Sequence, residues 1–158
     1  LDLKKLDILI HPESLVHAVV ELNNGLCKFI YHDTSMIIPI ANAIYEDKLN
    51  INHFYIKKNN VIKNLTFKKV NKNIFPIIKL KKKLNEYPAT PIIINAVNEI
   101  LVDQFLRKKI PFSSIYKFIM AILKDRNYRK YAIKRPKNIN QIFKVDNWAR
   151  NRILEKLK

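Results

Sequence analysis

Apolar and polar positions change rhythm once along this chain. Early on they come in short, closely spaced runs. From residue 73 they recur roughly every third or fourth position, the helical period. Residues 7–10 are a short apolar strand candidate. Residues 16–22 and 26–31 flank Asn24-Gly25, a favoured pair for a two-residue type I′ hairpin. That loop sets Leu22 opposite Cys27, Val20 opposite Phe29 and Ala18 opposite Tyr31, so six apolar side chains share one face for burial. On the other face Glu21 opposes Lys28, a complementary pair. Residues 39–45 read as a short helix with Pro39 in its first turn.

Residues 50–72 are rich in Asn and Lys and read as a linker with room for one short strand. The remainder reads as helical. Asn73 is a cap candidate ahead of Pro76, with Ile77, Leu80 and Leu84 inward. Thr90 is the next, before a stripe of Ile93, Val97, Ile100, Leu101 and Phe105. Pro111 and Ser113 mark a third start, followed by Ile115, Phe118, Ile119, Ile122 and Leu123. A short helix at residues 139–143 leads to Asp146, read as the cap of a terminal helix over 147–157. The fold class is therefore α+β: a short antiparallel hairpin segment in residues 1–49, a linker over 50–72 and a four-helix-bundle-like domain over 73–158.

The chain has 158 residues, enough for a substantial core. No apolar run approaches the roughly 20 residues needed to cross a bilayer. It shows no signal-peptide pattern, and it opens at Leu1 instead of an initiator Met, which reads as an internal fragment or a processed product. The single Cys27 excludes an intrachain disulfide and points to a reducing compartment. The formal net charge is +17, from 30 Lys+Arg against 13 Asp+Glu. Such a charge attracts polyanions. An abundance of Lys, Asn and Ile beside one Gly also fits AT-rich coding, with Lys filling exposed positions. Only Lys79-Leu80-Lys81-Lys82-Lys83 and Lys57-Lys58 are dense, and no helix–turn–helix or zinc-finger pattern converts charge into specific readout.

His11 and His17 have the chemistry for acid–base work, but they lack a third ligand at metal-site spacing. The simpler reading ends a strand at His11 and puts His17 on the hairpin's polar face. Met36 reads from its neighbours as an ordinary core methionine. Glu99, Asp103 and Arg107 form an i, i+4 ladder of a solvated helix face.

Three collinear sets carry a resemblance. The first is Ile10-His11-Pro12-Glu13-Ser14-Leu15-Val16-His17, followed by Asn24-Gly25, Met36 and Pro39-Ile40. The second is Asn95-Ala96-Val97-Asn98-Glu99. The third is Val145-Asp146-Asn147-Trp148-Ala149-Arg150. In that order and spacing they resemble the C-terminal half of the 1-deoxy-D-xylulose 5-phosphate reductoisomerase family, the NADPH- and metal-dependent enzymes of the methylerythritol phosphate route to isoprenoids. The resemblance implies the end of a sheet-bearing catalytic domain followed by a helical bundle. It implies that Ser14 and His17 lie beside the substrate and nicotinamide pocket, Ser14 with the cofactor and His17 as pocket lining. It implies that Met36 packs on the nicotinamide ring, where a polarizable thioether suits a flat ligand. Such residues orient or enclose ligands; no catalytic role falls on this chain. Asn95, Asn98 and Glu99 match the family's Asn-Ala-Ala-Asn-Glu helix and read as structural, with buried amides fixing the bundle's register. Asp146 and Arg150 read as a cap and a salt bridge. The family's Gln-Leu-Gly-x-Pro-Asp-Met-Arg run stands here as Ile30-Tyr31-His32-Asp33-Thr34-Ser35-Met36-Ile37.

The family chemistry is a retro-aldol-type rearrangement followed by hydride reduction. It uses a divalent cation (Mg or Mn) on an Asp-x-Glu pair and a further Glu, an Asn-Lys pair for substrate, and a glycine fingerprint for NADPH. Asp-x-Glu and Asn-Lys-x-x-Glu do not occur here, and the lone Gly25 excludes a Gly-rich phosphate loop. The leading expectation is the C-terminal portion of a reductoisomerase-like protein, catalytically incomplete and binding neither cofactor by itself. Its N-terminal half would lie in the same longer chain or be encoded separately. A second reading is an eroded, non-catalytic remnant kept as a dimerising or scaffolding module. A third is a basic nucleic-acid-binding protein, supported by charge alone. The family implies a homodimer through the sheet. Nucleic-acid binding is expected to be weak and non-specific, with no membrane partner and a cytoplasmic location.

Overall fold

The computed structural model describes residues 3–45, 50 and 64–158. A 3-10 turn at Leu3–Lys5 precedes strands β1 (Leu9–Ile10), β2 (Val16–Glu21) and β3 (Cys27–Tyr31), helix α1 (Ile37–Tyr45) and strand β4 (Lys68–Lys69). A 3-10 helix at Pro76–Lys82 then leads to α2 (Thr90–Leu106), α3 (Phe112–Leu123), α4 (Tyr128–Ala132) and α5 (Ile139–Lys156). The fold is thus mostly helical with short antiparallel strands. The chain forms two compact units, Leu1–Val70 and Asn71–Lys158. Most of the expected linker, with Lys57-Lys58, lies outside the described residues.

In the first unit β1 pairs antiparallel with β4, and β2 with β3. The hairpin register differs from the expected one. Glu21 faces Cys27, Val20 faces Lys28, Val19 faces Phe29 and Ala18 faces Ile30, with a bulge before Val16 meets Tyr31. The cause is the loop, which holds three residues, not two. The Leu22 N–H donates to Leu26 O (2.9 Å) and the Gly25 N–H to Leu22 O (3.0 Å). Of the loop residues only Gly25 has a positive φ, +84°, whereas a type I′ turn needs two. Asn24 instead accepts the Leu26 N–H on its side chain (3.1 Å), a local turn that competes with the left-handed conformation. A one-residue change of register exchanges faces. The six apolar side chains are therefore split between both faces, and Lys28 opposes Val20 instead of Glu21. Nor is either face covered: Val16 is buried, but Val19, Val20, Phe29, Ile30 and Tyr31 are exposed.

The second unit has its own core. Ile93, Val97 and Leu101 of α2 meet Ile119 and Ile122 of α3 and Ile153 of α5, all essentially inaccessible to solvent. Each such side chain contributes roughly 1.5–3 kcal/mol on burial. Ala96 and Ala149, also fully buried, leave α2 and α5 room to approach. Phe105, expected inward, is exposed and meets Phe112 edge-on at 5.6 Å.

Three expected caps fall elsewhere. Thr90 is buried, and its hydroxyl shares a 2.6 Å hydrogen bond with the Tyr128 phenol; the α2 cap position is Ala89. Asn73 gives its N–H to Asn71 Oδ1, and the 3-10 helix starts after Phe75. The two short C-terminal helices are one, α5. It is capped by Asn138, whose side chain accepts the Gln141 N–H (3.0 Å) while Gln141 accepts the Lys137 N–H (2.8 Å). This reciprocal pair starts the helix two turns before Asp146. Asp146 is a mid-helix residue paired with Arg150.

Candidate functional site

The residues singled out for chemistry in the first unit lie at the open end of the hairpin, away from its loop. The turn between β1 and β2 is pinned from β4's side. His11 Nδ1 lies 2.8 Å from Thr66 O, and Glu13 accepts the Thr66 N–H at 3.1 Å. His11 stacks on Phe67 (4.8 Å between centroids) and is 3.0 Å from the Glu13 carboxylate. Hydrogen bonds from Thr66 hold the Glu13 carboxyl below its ordinary pKa against the opposing effect of burial. His11 Nδ1 donates to the Thr66 carbonyl, and the other ring nitrogen, Nε2, is buried without a hydrogen-bond partner among the described residues. His11 is therefore a strand-end anchor, with its side chain only 7% exposed.

Ser14 follows in a left-handed conformation, φ +53°, and gives its N–H to His11 O (3.1 Å). Outside glycine this conformation costs roughly 1–2 kcal/mol. Its exposed side chain stands on a turn fixed by backbone bonds and by the His11–Thr66 anchor. His17, at the bulge, is exposed and stacks face to face on His32: 3.8 Å between centroids, 4° between planes. The His32 N–H donates to Leu15 O (3.1 Å), and its Nδ1 lies 2.5 Å from Asp33 O. His32 thus ties the Ser14 turn, through Leu15, to the end of β3 and holds the His17 ring. Sequence reasoning did not single it out. Its partners lie across the hairpin, so only the register reveals them.

Met36 stands just before α1 and is 61% exposed, which overturns its reading as a core methionine. Ser35 Oγ accepts the Ile37 N–H (3.3 Å), capping work at the start of α1 in the segment where the family's Pro-Asp is absent. Ser14 in the β1–β2 turn, His17 at the β2 bulge, and His32 and Met36 in the β3–α1 connection thus all lie at one end of the hairpin.

In the second unit the Asn95-Ala96-Val97-Asn98-Glu99 segment lies within α2. Asn95 is exposed and Asn98 half-buried, so buried amides do not fix the register as expected. Glu99 takes that part with α5: Arg150 reaches it at 2.5 Å and Asp146 at 2.6 Å. Arg107 pairs with Asp103 (2.9 Å), so the expected ladder is broken at Glu99.

A pinned hairpin end in the first unit is followed along the chain by a helical unit built from α2 to α5. The model of the DXP reductoisomerase C-terminal domain matches residues 33–152. A 1-deoxy-D-xylulose 5-phosphate reductoisomerase from Pelagibacter ubique is 39% identical over 153 residues, 94% of this chain and 39% of that protein. One from Sulfurihydrogenibium is 34% identical over 80% of this chain and 34% of its own length. The Zymomonas mobilis reductoisomerase, solved with NADPH, superposes with a TM-score of 0.75 at 26% identity, covering all of this chain and 41% of that one. A reductoisomerase solved with NADPH, fosmidomycin and magnesium shares the fold at a TM-score of 0.82. The chain belongs to the 1-deoxy-D-xylulose 5-phosphate reductoisomerase family and spans about two fifths of the length of these relatives.

The Met36 thioether is open to solvent, and a polarizable thioether is a side chain suited to a flat aromatic ligand. Among the described residues no group of three or more His, Cys, Asp or Glu is placed to hold a metal ion.

Proposed function

We propose that this chain supplies the cofactor-facing wall and the helical domain of a reductoisomerase that converts 1-deoxy-D-xylulose 5-phosphate. The observation that carries the reading is the family match over residues 33–152 together with coverage of only 39% of the 39%-identical relative. Residues 1–49 are read as the end of the catalytic domain, 50–72 as a linker and 73–158 as the bundle. The reading also favours a reductoisomerase over a nucleic-acid-binding protein.

Ser14, on its pinned turn, and Met36, with its exposed thioether, would face the nicotinamide. His17, held by the His32 ring, would line the substrate pocket. NADPH supplies the hydride when bound. This chain's part is to position the ring, shape the pocket and exclude water. The metal-binding carboxylates and the phosphate loop are assigned to the portion of the protein that these residues do not cover. A homodimer through the hairpin is supported by its uncovered apolar side chains on both faces. A cytoplasmic setting is supported by the single, exposed, free Cys27.

The test is a chimera in which this chain replaces the matching 39% of the Pelagibacter ubique enzyme. The expected result is NADPH oxidation dependent on the sugar phosphate and a divalent metal, with the 158-residue chain alone inactive. A folded, NADPH-binding chimera without turnover would overturn the reading. So would turnover by this chain alone.

A further inference from the structure

The part of the second unit around α4 departs from the rest of the molecule in charge. Residues 126–145 hold seven cations and no carboxylate. Arg126, Arg129, Lys130, Lys134, Arg135 and Lys137 lie in α4 and its flanks, and Lys144 follows in α5. All seven are exposed. Among the described residues none of them is in a salt bridge, whereas Arg107, Arg150 and Arg152 all pair with carboxylates. A solvated face with interspersed signs would neutralise part of this charge. Here nothing between Asp125 and Asp146 does.

Apolar side chains stand exposed in the same stretch. Ile139 and Phe143 are 61% and 56% exposed, with Ile133 and Ile142 also open to solvent. Ile139, Ile142 and Phe143 are spaced i, i+3, i+4 and so share one helix face at the start of α5. Tyr131 and Trp148 stack at 4.5 Å, both half-buried, and the Lys130 ammonium lies 5.9 Å from the Tyr131 ring centre.

We propose that this stretch, residues 126–144, docks on the surface of an anionic phospholipid bilayer. The cations meet the head groups, and Ile139, Ile142 and Phe143 enter the boundary between head groups and acyl chains. Basic residues interleaved with exposed apolar ones are what an interfacial helix needs. Long Lys and Arg stems let the charges reach outward while apolar neighbours go in. A nucleic acid rewards the cations and finds one exposed ring, Phe143, but offers no apolar layer for Ile133, Ile139 and Ile142. The expectation of no membrane partner rested on the lack of a spanning segment. Among the described residues no helix is long and apolar enough to cross a membrane, and surface docking requires none.

The test is co-sedimentation of the 158-residue chain with vesicles of phosphatidylcholine, with and without phosphatidylglycerol. The chain is expected to bind only the anionic vesicles and to be released as salt rises. Lys134→Glu with Arg135→Glu, and separately Ile139→Asp with Phe143→Asp, should each lower the partition coefficient about tenfold. Lys109→Glu with Lys117→Glu makes the same change in net charge elsewhere on the unit and should leave it within about twofold. Circular dichroism checks that each variant folds, and Ile139→Ser with Phe143→Ser repeats the apolar test if the aspartates unfold the unit. Four results overturn the proposal: equal binding to neutral vesicles, undiminished binding of the folded apolar variants, an equal loss in the Lys109/Lys117 control, and displacement from vesicles by single-stranded RNA.

Discussion

Lys108 has φ +58° in the turn that ends α2. Its N–H donates to Phe105 O (2.8 Å) and the Lys109 N–H to Gln104 O (2.9 Å), the paired bonds of a Schellman ending with lysine where glycine usually stands. Lys108→Gly should therefore raise stability by about 0.5–1 kcal/mol, read as a higher urea midpoint at unchanged slope. The mirror experiment is at Gly25. An added Cβ would meet nothing within 4 Å, so Gly25→Val pays only for the backbone. It should lower stability by roughly 1–3 kcal/mol, seen as loss of amide-exchange protection along β2 and β3. An unchanged hairpin would refute the turn. The Asn24-Gly25 pair announced this turn in the sequence but not its length, because one left-handed glycine serves a three-residue loop as well as a two-residue one. Ser14, His17 and Met36 were singled out for the pocket only through the family resemblance. His32 needed the register, and a single residue of error there hides every cross-strand partner.

Among the elements, α2 and α5 are joined by one guanidinium. Bonds to Glu99 and then Asp146, working against burial, hold Arg150 protonated well above its ordinary range. Arg150→Met leaves the half-buried Asp146 without its partner and should cost about 1–3 kcal/mol in urea unfolding. Glu99→Gln should cost less, since Glu99 is largely exposed. Asp125 makes the acid side of the same argument. Burial pushes its carboxyl up, but bonds from the Asn127 N–H and from Arg152 outweigh that and leave it below its ordinary value. In the unfolded chain the group takes up its proton at higher pH than in the fold. Its contribution is therefore complete above the ordinary aspartate range, about pH 4, and is lost as pH falls through the lower folded value. Asp125→Asn should flatten the fall of the melting temperature between about pH 4 and 2; an unaltered profile would reject Asp125 as its source. The helices α2 and α3 were legible because their apolar period is helical throughout. The single span of α5 was not, because Asp146 has a cap's chemistry and only the earlier Asn138–Gln141 pair shows where the helix begins.

At the scale of the whole molecule the two units are built differently. The second draws its buried cluster entirely from residues 80–157. In the first, Val16 and Ala41 are the buried apolar residues among those described. Residues 71–158 expressed alone should accordingly melt as one cooperative transition by circular dichroism, and a broad, non-cooperative melt would count against an independent core. The helical character of this unit was plain from periodicity. The exposure of the hairpin was not, because an apolar strand looks the same in sequence whether its cover comes from nearby or from elsewhere. The packing order within the helical unit also bears on how the chain is made. α2 packs most extensively on α5 and less on its sequence neighbour α3. During synthesis α2 therefore leaves the ribosome with its main partner still untranslated, and its apolar stripe waits through α3 and α4. Ribosome stalling anywhere before Ile153 would release an unfinished bundle with that stripe open, a natural substrate for chaperones and proteases.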